Sequence, residues 1–118
     1  MSKRKDIDLI RDINESIERI VSYTHGIEYE DFKKDHKTQD AVIRNIEIMG
    51  EAVKALSEKV KKDNSNIPWK SMAGTRDKLI HDYFGVNIDI VWNIVKEEIP
   101  KLLSKIKSVL QYLKEENG

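Results

Sequence analysis

The sequence of 118 residues contains no cysteine, which excludes disulfide bridges and metal sites that depend on thiolate ligands. Proline occurs only twice and glycine five times, and aromatic residues make up 7% of the chain. No apolar run approaches the roughly 18 residues of a membrane-spanning helix, and the first residues lack the apolar segment of a signal peptide. These absences predict a cytoplasmic protein with no membrane association.

An excess of charge of one sign is also missing, because 21 basic side chains balance 21 acidic ones. Charged residues nevertheless make up 36% of the chain, which is typical of solvated helix faces. Zero net charge gives no global attraction for a polyanion, so any contact with nucleic acid must be local. The length and the 39% of hydrophobic residues predict one domain over residues 1–118.

Apolar residues recur at helical spacing near the start of the chain. The stripe over residues 5–23 predicts a first helix. In residues 25–37 the periodicity is lost, and polar residues predict a connection anchored by Tyr29 and Phe32.

The cleanest stripe predicts a long second helix over residues 39–61, with Thr38 as its N-cap. Gly50 inside this helix indicates close approach by another backbone. That backbone belongs either to the same chain or to a second subunit.

Residues 61–66 form a turn-rich break, after which Pro68 is expected at the first position of a short helix. This short helix would hold Trp69 and Met72. A further helix is expected to end near Phe84, with Gly85 as the C-cap.

Asn87 or Asp89 is expected to cap the last helical region, which Pro100 should kink or split in two. No stretch alternates like a β-strand. The fold class predicted is therefore all-α, an antiparallel bundle of four to five helices.

The stretch with the strongest functional signal brings Arg76, His81 and Tyr83 together within eight residues. Arg76 falls in the middle of an apolar helix face, where an unpaired guanidinium would be costly. One interpretation is structural: Arg76 pairs with Glu51 or Asp77, His81 makes a helix-end hydrogen bond and Tyr83 fills core space.

The other interpretation is chemical. An arginine can hold a phosphate through two parallel hydrogen bonds, and a histidine can exchange protons near neutral pH. Arg76 and His81 would therefore suit phosphodiester transesterification in RNA, in which the 2′-hydroxyl is the nucleophile. His25 and His36 match no metal-ligand spacing, so neither a metal site nor a cofactor is expected.

Residues 76–83 resemble the Arg-x-x-x-x-His-x-Tyr signature of the HepT-like branch of the HEPN superfamily. Residues 40–52, 67–74 and 86–92 continue the resemblance in order, and in total it covers roughly residues 5–113. The resemblance implies a small all-helical protein that forms a homodimer or a higher oligomer and places two motif copies around a shared cleft. It also implies a metal-independent endoribonuclease acting as the toxin of a toxin–antitoxin pair.

The partner implied by the resemblance is a minimal nucleotidyltransferase antitoxin that adenylylates the motif tyrosine, here Tyr83. Arg76 would then bind phosphate and the transition state, and His81 would act as general acid or base. Asp77 would orient Arg76 or His81, although family members commonly carry asparagine at that position. A phosphate and a base added to Tyr83 would exclude RNA from the cleft.

Two further hypotheses remain open from the sequence. The dimer could be a helical companion of the nucleotidyltransferase that holds nucleotide or substrate without cleaving RNA, which the zero net charge favours. The chain could also be a purely structural oligomerisation module, in which case neither nucleotide nor RNA should shift its thermal stability.

Overall fold

The computed structural model describes the backbone of residues 5–81 and 87–117 and the side chains of residues 5–75 and 87–116. These ranges contain helices and no strand, which confirms the all-α prediction. The helices are α1 (Asp6–Thr24), α2 (Tyr29–Lys34), α3 (His36–Ala55), α4 (Glu58–Asp63), α5 (Trp69–His81), α6 (Ile88–Asn93) and α7 (Ile99–Asn117), and a π-helical segment (Ile94–Glu98) joins the last two.

The long helices pack as an antiparallel bundle. Helix α1 packs against α3 and α7, and α5 packs against α3. The end of α3 meets the start of α1, where Ser57 donates from its backbone N–H (2.9 Å) and its hydroxyl (2.7 Å) to the Asp6 carboxylate. The last turns of α7 line the same groove as the first turn of α1. Residues 5–81 and 87–117 contain four long helices and three short ones, and the four long helices agree with the bundle of four to five predicted.

The core forms where the apolar stripes of these helices meet. The stripe of α1 is buried completely at four isoleucines, as its spacing predicted. Gly50 in α3 is buried by the chain itself, which favours intramolecular packing over a subunit contact at this position. The largest fully buried side chains are Phe32, Ile10, Ile13, Ile17, Ile20, Ile46, Ile99 and Ile106.

The connection between the first two long helices contains a short helix, α2, that the sequence analysis assigned to a loop. A capping box starts it: the Glu28 backbone N–H donates to Asp31 Oδ2 (3.1 Å), and the Glu28 side chain accepts from the Asp31 backbone. Only Phe32 is buried, so one turn with one apolar residue left no periodicity to detect. Phe32 does anchor the connection, as expected.

Helix α3 begins earlier than predicted, and its cap is Asp35 rather than Thr38. The Asp35 carboxylate accepts from the Thr38 backbone N–H (3.0 Å) and from its hydroxyl (2.6 Å). These two hydrogen bonds lower the pKa of Asp35 below its ordinary value. A carboxylate is a stronger acceptor than a hydroxyl at a helix N-terminus, where the helix dipole also favours negative charge.

The long helix predicted over residues 39–61 is in fact two helices. Leu56 is extended (φ −63°, ψ 147°) and ends α3, and Ser57 then caps α4 by accepting from the Val60 N–H (3.3 Å). The stripe of apolar residues continues through the break because Leu56 and Val60 are both buried. Periodicity alone therefore missed a break at which Ser57 both caps α4 and donates to Asp6.

The region after Pro68 forms one continuous helix, α5, instead of the two predicted. Trp69 is its first residue, while the Pro68 carbonyl accepts from the Met72 N–H (3.0 Å) as an N-cap does. The predicted end near Phe84 and the predicted C-cap Gly85 lie outside the described residues.

The last helical region begins as predicted, with Asn87 as N-cap accepting from the Asp89 N–H (2.9 Å). Pro100 does not split this region, because α6, the π-helical segment and α7 follow one another directly. The Ile99 N–H bonds to the Ile94 carbonyl, five residues back, so the wider turn falls immediately before the proline. Such a turn accommodates the ring, which would otherwise clash with a carbonyl of the preceding turn.

Candidate active site

The start of α5 is fixed to the bundle about two turns before the motif. Trp69 is 6% exposed, and its indole Nε1 donates to the Asn64 carbonyl (3.1 Å) in the turn that precedes the helix. Met72, one turn on, is also buried. Because both side chains reach the core, the position of the helix axis is set by residues that the motif does not use.

Arg76, Asp77 and His81 all lie in α5, and their side chains lie outside the described part of the structure. In an α-helix, Arg76 and His81 are separated by about 7.5 Å along the axis and about 140° around it. Tyr83 lies outside the described residues. The roles assigned to these four residues therefore stay predictions.

The chain beyond the motif is held in place by an aromatic cluster between α2 and α6. Tyr29 and Phe32 pack against the Trp92 ring at centroid distances of 5.9 and 5.0 Å. The Tyr29 hydroxyl donates a short hydrogen bond to Asp89, and Lys96 Nζ lies 4.6 Å from the centre of the Trp92 ring. The first turn of α6 is thus fixed to α2, a few residues after Tyr83 in the sequence.

The hydrogen bond to the Asp89 carboxylate, together with partial burial, raises the pKa of the Tyr29 phenol above its ordinary value. Sequence reasoning named Tyr29 as an anchor and Asp89 as a cap candidate, but it did not connect them. The two residues are 60 positions apart, and nothing in the local pattern of either one signals the contact.

The two histidines considered as metal ligands, His25 and His36, are exposed at opposite ends of the first connection. Within residues 5–75 and 87–116, no group of three or more histidine, aspartate or glutamate side chains is arranged to hold a metal ion. No helix in the described part of the chain is both long enough and apolar enough to cross a membrane.

Comparison with known proteins finds ribonucleases, or proteins named as such, that match most of the chain. The family model described as Ribonuclease HepT-like matches residues 13–109. The probable ribonuclease HepT of Thermococcus cleftensis is 49% identical over 107 residues, which cover 91% of this chain and 97% of that protein. A protein provisionally named as an RNase in Methanocaldococcus jannaschii is 41% identical over 115 residues, covering 97% of this chain and 95% of that protein.

A third relative, provisionally named as an RNase in Caldanaerobacter subterraneus, is 46% identical over 99 residues, covering 84% of this chain and 88% of that protein. No solved structure matches the chain significantly. The all-helical fold and the Arg-x-x-x-x-His pattern at the end of α5 agree with the family match, which places the chain in the HEPN class. The chain belongs to the HepT-like ribonuclease family and is a ribonuclease of the HEPN type.

Proposed function

We propose that this protein is a metal-independent endoribonuclease that serves as the toxin of a toxin–antitoxin pair and is neutralised by adenylylation of Tyr83. The observation that carries the proposal is the Arg76, His81 and Tyr83 motif inside a family match that spans residues 13–109. The fixed start of α5 supports it, because a helix anchored by Trp69 and Met72 can present the motif from a stable base.

Cleavage would proceed by attack of the RNA 2′-hydroxyl on the adjacent phosphorus. The new 2′-O–P bond replaces the bond to the 5′-oxygen, which leaves a cyclic phosphate on one product and a 5′-hydroxyl on the other. Arg76 stabilises the charge that develops on the phosphate oxygens, and His81 carries one of the two proton transfers. Asp77 orients one of these groups.

A dimer would resolve a geometric difficulty in this assignment. Residues about 140° apart on one straight helix do not readily face a single phosphate. Two α5 helices related by a two-fold axis can combine Arg76 of one chain with His81 of the other in one cleft. Adenylylation of Tyr83 would place a phosphate and a base in that cleft, which repels and excludes RNA.

The proposal is tested by preparing the protein with and without a minimal nucleotidyltransferase from a neighbouring reading frame. Intact mass should show one or more AMP units on the co-expressed protein and none on the protein made alone. Only the unmodified protein should cleave a generic RNA in the presence of EDTA, and Arg76→Ala or His81→Ala should abolish this cleavage. Tyr83→Phe should retain cleavage and lose protection by the partner.

Full cleavage by both Arg76→Ala and His81→Ala would overturn the site assignment. The balanced charge of the chain supports a second candidate, a companion subunit that holds nucleotide or substrate for the nucleotidyltransferase without cutting RNA. That function is favoured if neither preparation carries an adduct and neither cleaves RNA, yet nucleotide or RNA raises the melting temperature.

A further inference from the structure

A groove of about 950 Å³ lies between the end of α3, the helix α4 and the first turns of α5. We call it the basic groove. The residues that define it are Lys54, Glu58, Lys61, Pro68, Trp69 and Lys70. Its position matters because one of its walls is the helix that carries Arg76 and His81.

The basic groove stands out by its charge in a chain whose charges otherwise balance. Three lysines line it against one glutamate. Three other grooves formed by the described residues each contain at least as many acidic as basic side chains. Because the chain has no net positive charge, a local excess of this kind is what an anionic ligand would detect.

The glutamate in the groove does little to cancel the charge of Lys61. Glu58 lies 3.7 Å from Lys61 Nζ, and its side chain is 91% exposed. Exposed ion pairs of this length contribute little, since water and salt screen them. A phosphate arriving in the groove can therefore compete with Glu58 for Lys61.

The surface between the lysines is apolar. Ile67 and Trp69 are buried beneath it, and Pro68 is exposed at its edge. Proteins that bind single-stranded nucleic acid combine a positively charged groove that follows the backbone with aromatic side chains on which bases stack. The basic groove supplies the charge for the backbone, whereas Trp69 is buried and presents no ring face for stacking.

The groove also leads toward the motif along α5. Trp69 and Ala73 line it, and Arg76 follows Ala73 by three residues, so the three positions share one stripe of the helix. Lys70 precedes Arg76 by about 9 Å along the helix axis, from six residues at 1.5 Å each, and lies about 120° around the helix from it, so an RNA strand in the groove would have to curve around α5 to reach Arg76.

We propose that the basic groove binds the backbone of single-stranded RNA next to the bond that is cleaved. The inference rests on the proposed ribonuclease function and extends it, because it assigns Lys61 and Lys70 to substrate binding. It implies that a good substrate extends several nucleotides beyond the cleavage position on one side, and that a very short RNA misses the groove.

The test measures binding of fluorescein-labelled 2′-O-methyl RNA, which cannot be cut because its nucleophile is blocked. For a strand about 20 nucleotides long, Lys61→Gln with Lys70→Gln should weaken binding about tenfold and lower the salt slope by about 1.4. A strand of about 2 nucleotides, below the usual site size of roughly 4–16, should bind both proteins alike. In cleavage of ordinary RNA, the double variant should raise KM and leave kcat unchanged.

The matched control is Lys101→Gln with Lys114→Gln, which removes the same charge from exposed positions on α7 outside the groove. This control should change binding less than twofold. Glu58→Gln should tighten binding of the long strand about threefold, because it removes a negative charge close to Lys61. If the lysine variant is unstable, Glu58→Gln keeps the test decisive, provided that its melting temperature equals that of the wild-type protein.

The possible outcomes distinguish a wrong assignment of the groove from a wrong proposed function. If the wild-type protein cleaves RNA and the groove variant behaves like the α7 control, the groove assignment is wrong and the function stands. If the wild-type protein binds RNA without cleaving it, the function fails and the binding data alone decide on the groove. Loss of adenylylation with unchanged RNA binding would assign the groove to the partner enzyme and overturn the proposal.

Discussion

Two glycines show how the same residue type serves opposite purposes. Gly26 has φ +75° and follows His25 at φ −61° and ψ 126°, and the Ile27 N–H bonds to the Thr24 carbonyl (3.3 Å). These values describe a type II turn, whose third position requires positive φ. Gly74, in contrast, lies inside α5 with no positive φ, and a Cβ there would meet nothing within 4 Å.

We therefore expect Gly74→Ala to raise the free energy of unfolding by about 0.5–1 kcal/mol, because alanine favours a helix where space permits. Gly26→Ala should lower it by about 1 kcal/mol, because an L-residue is strained at positive φ. Urea unfolding of the two variants measures both effects. If both substitutions changed the free energy of unfolding in the same direction, the backbone conformation assigned to one of the two glycines would be wrong.

Asp35 carries a pH-dependent part of the stability of α3. Its pKa is lowered by hydrogen bonds from Thr38, so the ionised form favours the folded state. This stabilisation is fully present when the pH is above the ordinary aspartate pKa. It is lost as the pH falls through the lower pKa that Asp35 has in the folded state. Asp35→Ala should lower Tm by a few degrees at pH 7, and the difference should shrink below about pH 4. Thermal melts of both proteins across this pH range provide the measurement, and a difference independent of pH would contradict it.

At the scale of elements, the contact between α2 and α6 determines where the chain resumes after the motif. Tyr29→Phe retains the ring that packs on Trp92 and removes only the hydrogen bond to Asp89. Backbone amides of α6 should then exchange about three- to tenfold faster with deuterium, as expected for the loss of one such bond. Tyr23→Phe is the control, because Tyr23 is 42% exposed on α1. Equal exchange in the two variants would show that the hydrogen bond does not hold α6.

The elements also show which parts of the fold the sequence could predict. Helices α1 and α3 bury long apolar stripes, and periodicity detects such stripes. Helix α2 has one buried residue, and the break before α4 coincides with a hydrogen bond from Ser57 to Asp6, 51 positions away. Short helices and breaks of this kind are fixed by caps and tertiary contacts, which leave no periodic pattern.

At the scale of the whole molecule, the sequence predicts the candidate site as a pattern of residues and not as a geometry. The family motif assigns Arg76, Asp77, His81 and Tyr83 from residue types and order, and these assignments stay predictions. The support around it, from Trp69 at the start of α5 to the aromatic cluster at α6, involves contacts between distant segments. Such contacts are set by the packing of the bundle, and no local sequence pattern signals them.

The proposed cleft built from two chains makes a quantitative prediction about mixed dimers. If Arg76 of one chain acts with His81 of the other, a dimer of one Arg76→Ala chain and one His81→Ala chain keeps one intact site. Random mixing makes half of the dimers mixed, so two inactive variants combined in equal amounts should regain about a quarter of wild-type activity.

If both residues of a site come from one chain, the same mixture stays inactive, because no chain then carries a complete pair. RNA cleavage in EDTA, measured after the two variants are unfolded and refolded together, distinguishes the two arrangements. A mixture of Arg76→Ala with Arg76→Ala,His81→Ala is the matched control, because no arrangement of its chains restores an arginine. Recovery in that control would mean that Arg76 is dispensable, and it would remove the reason for placing the active site between two chains.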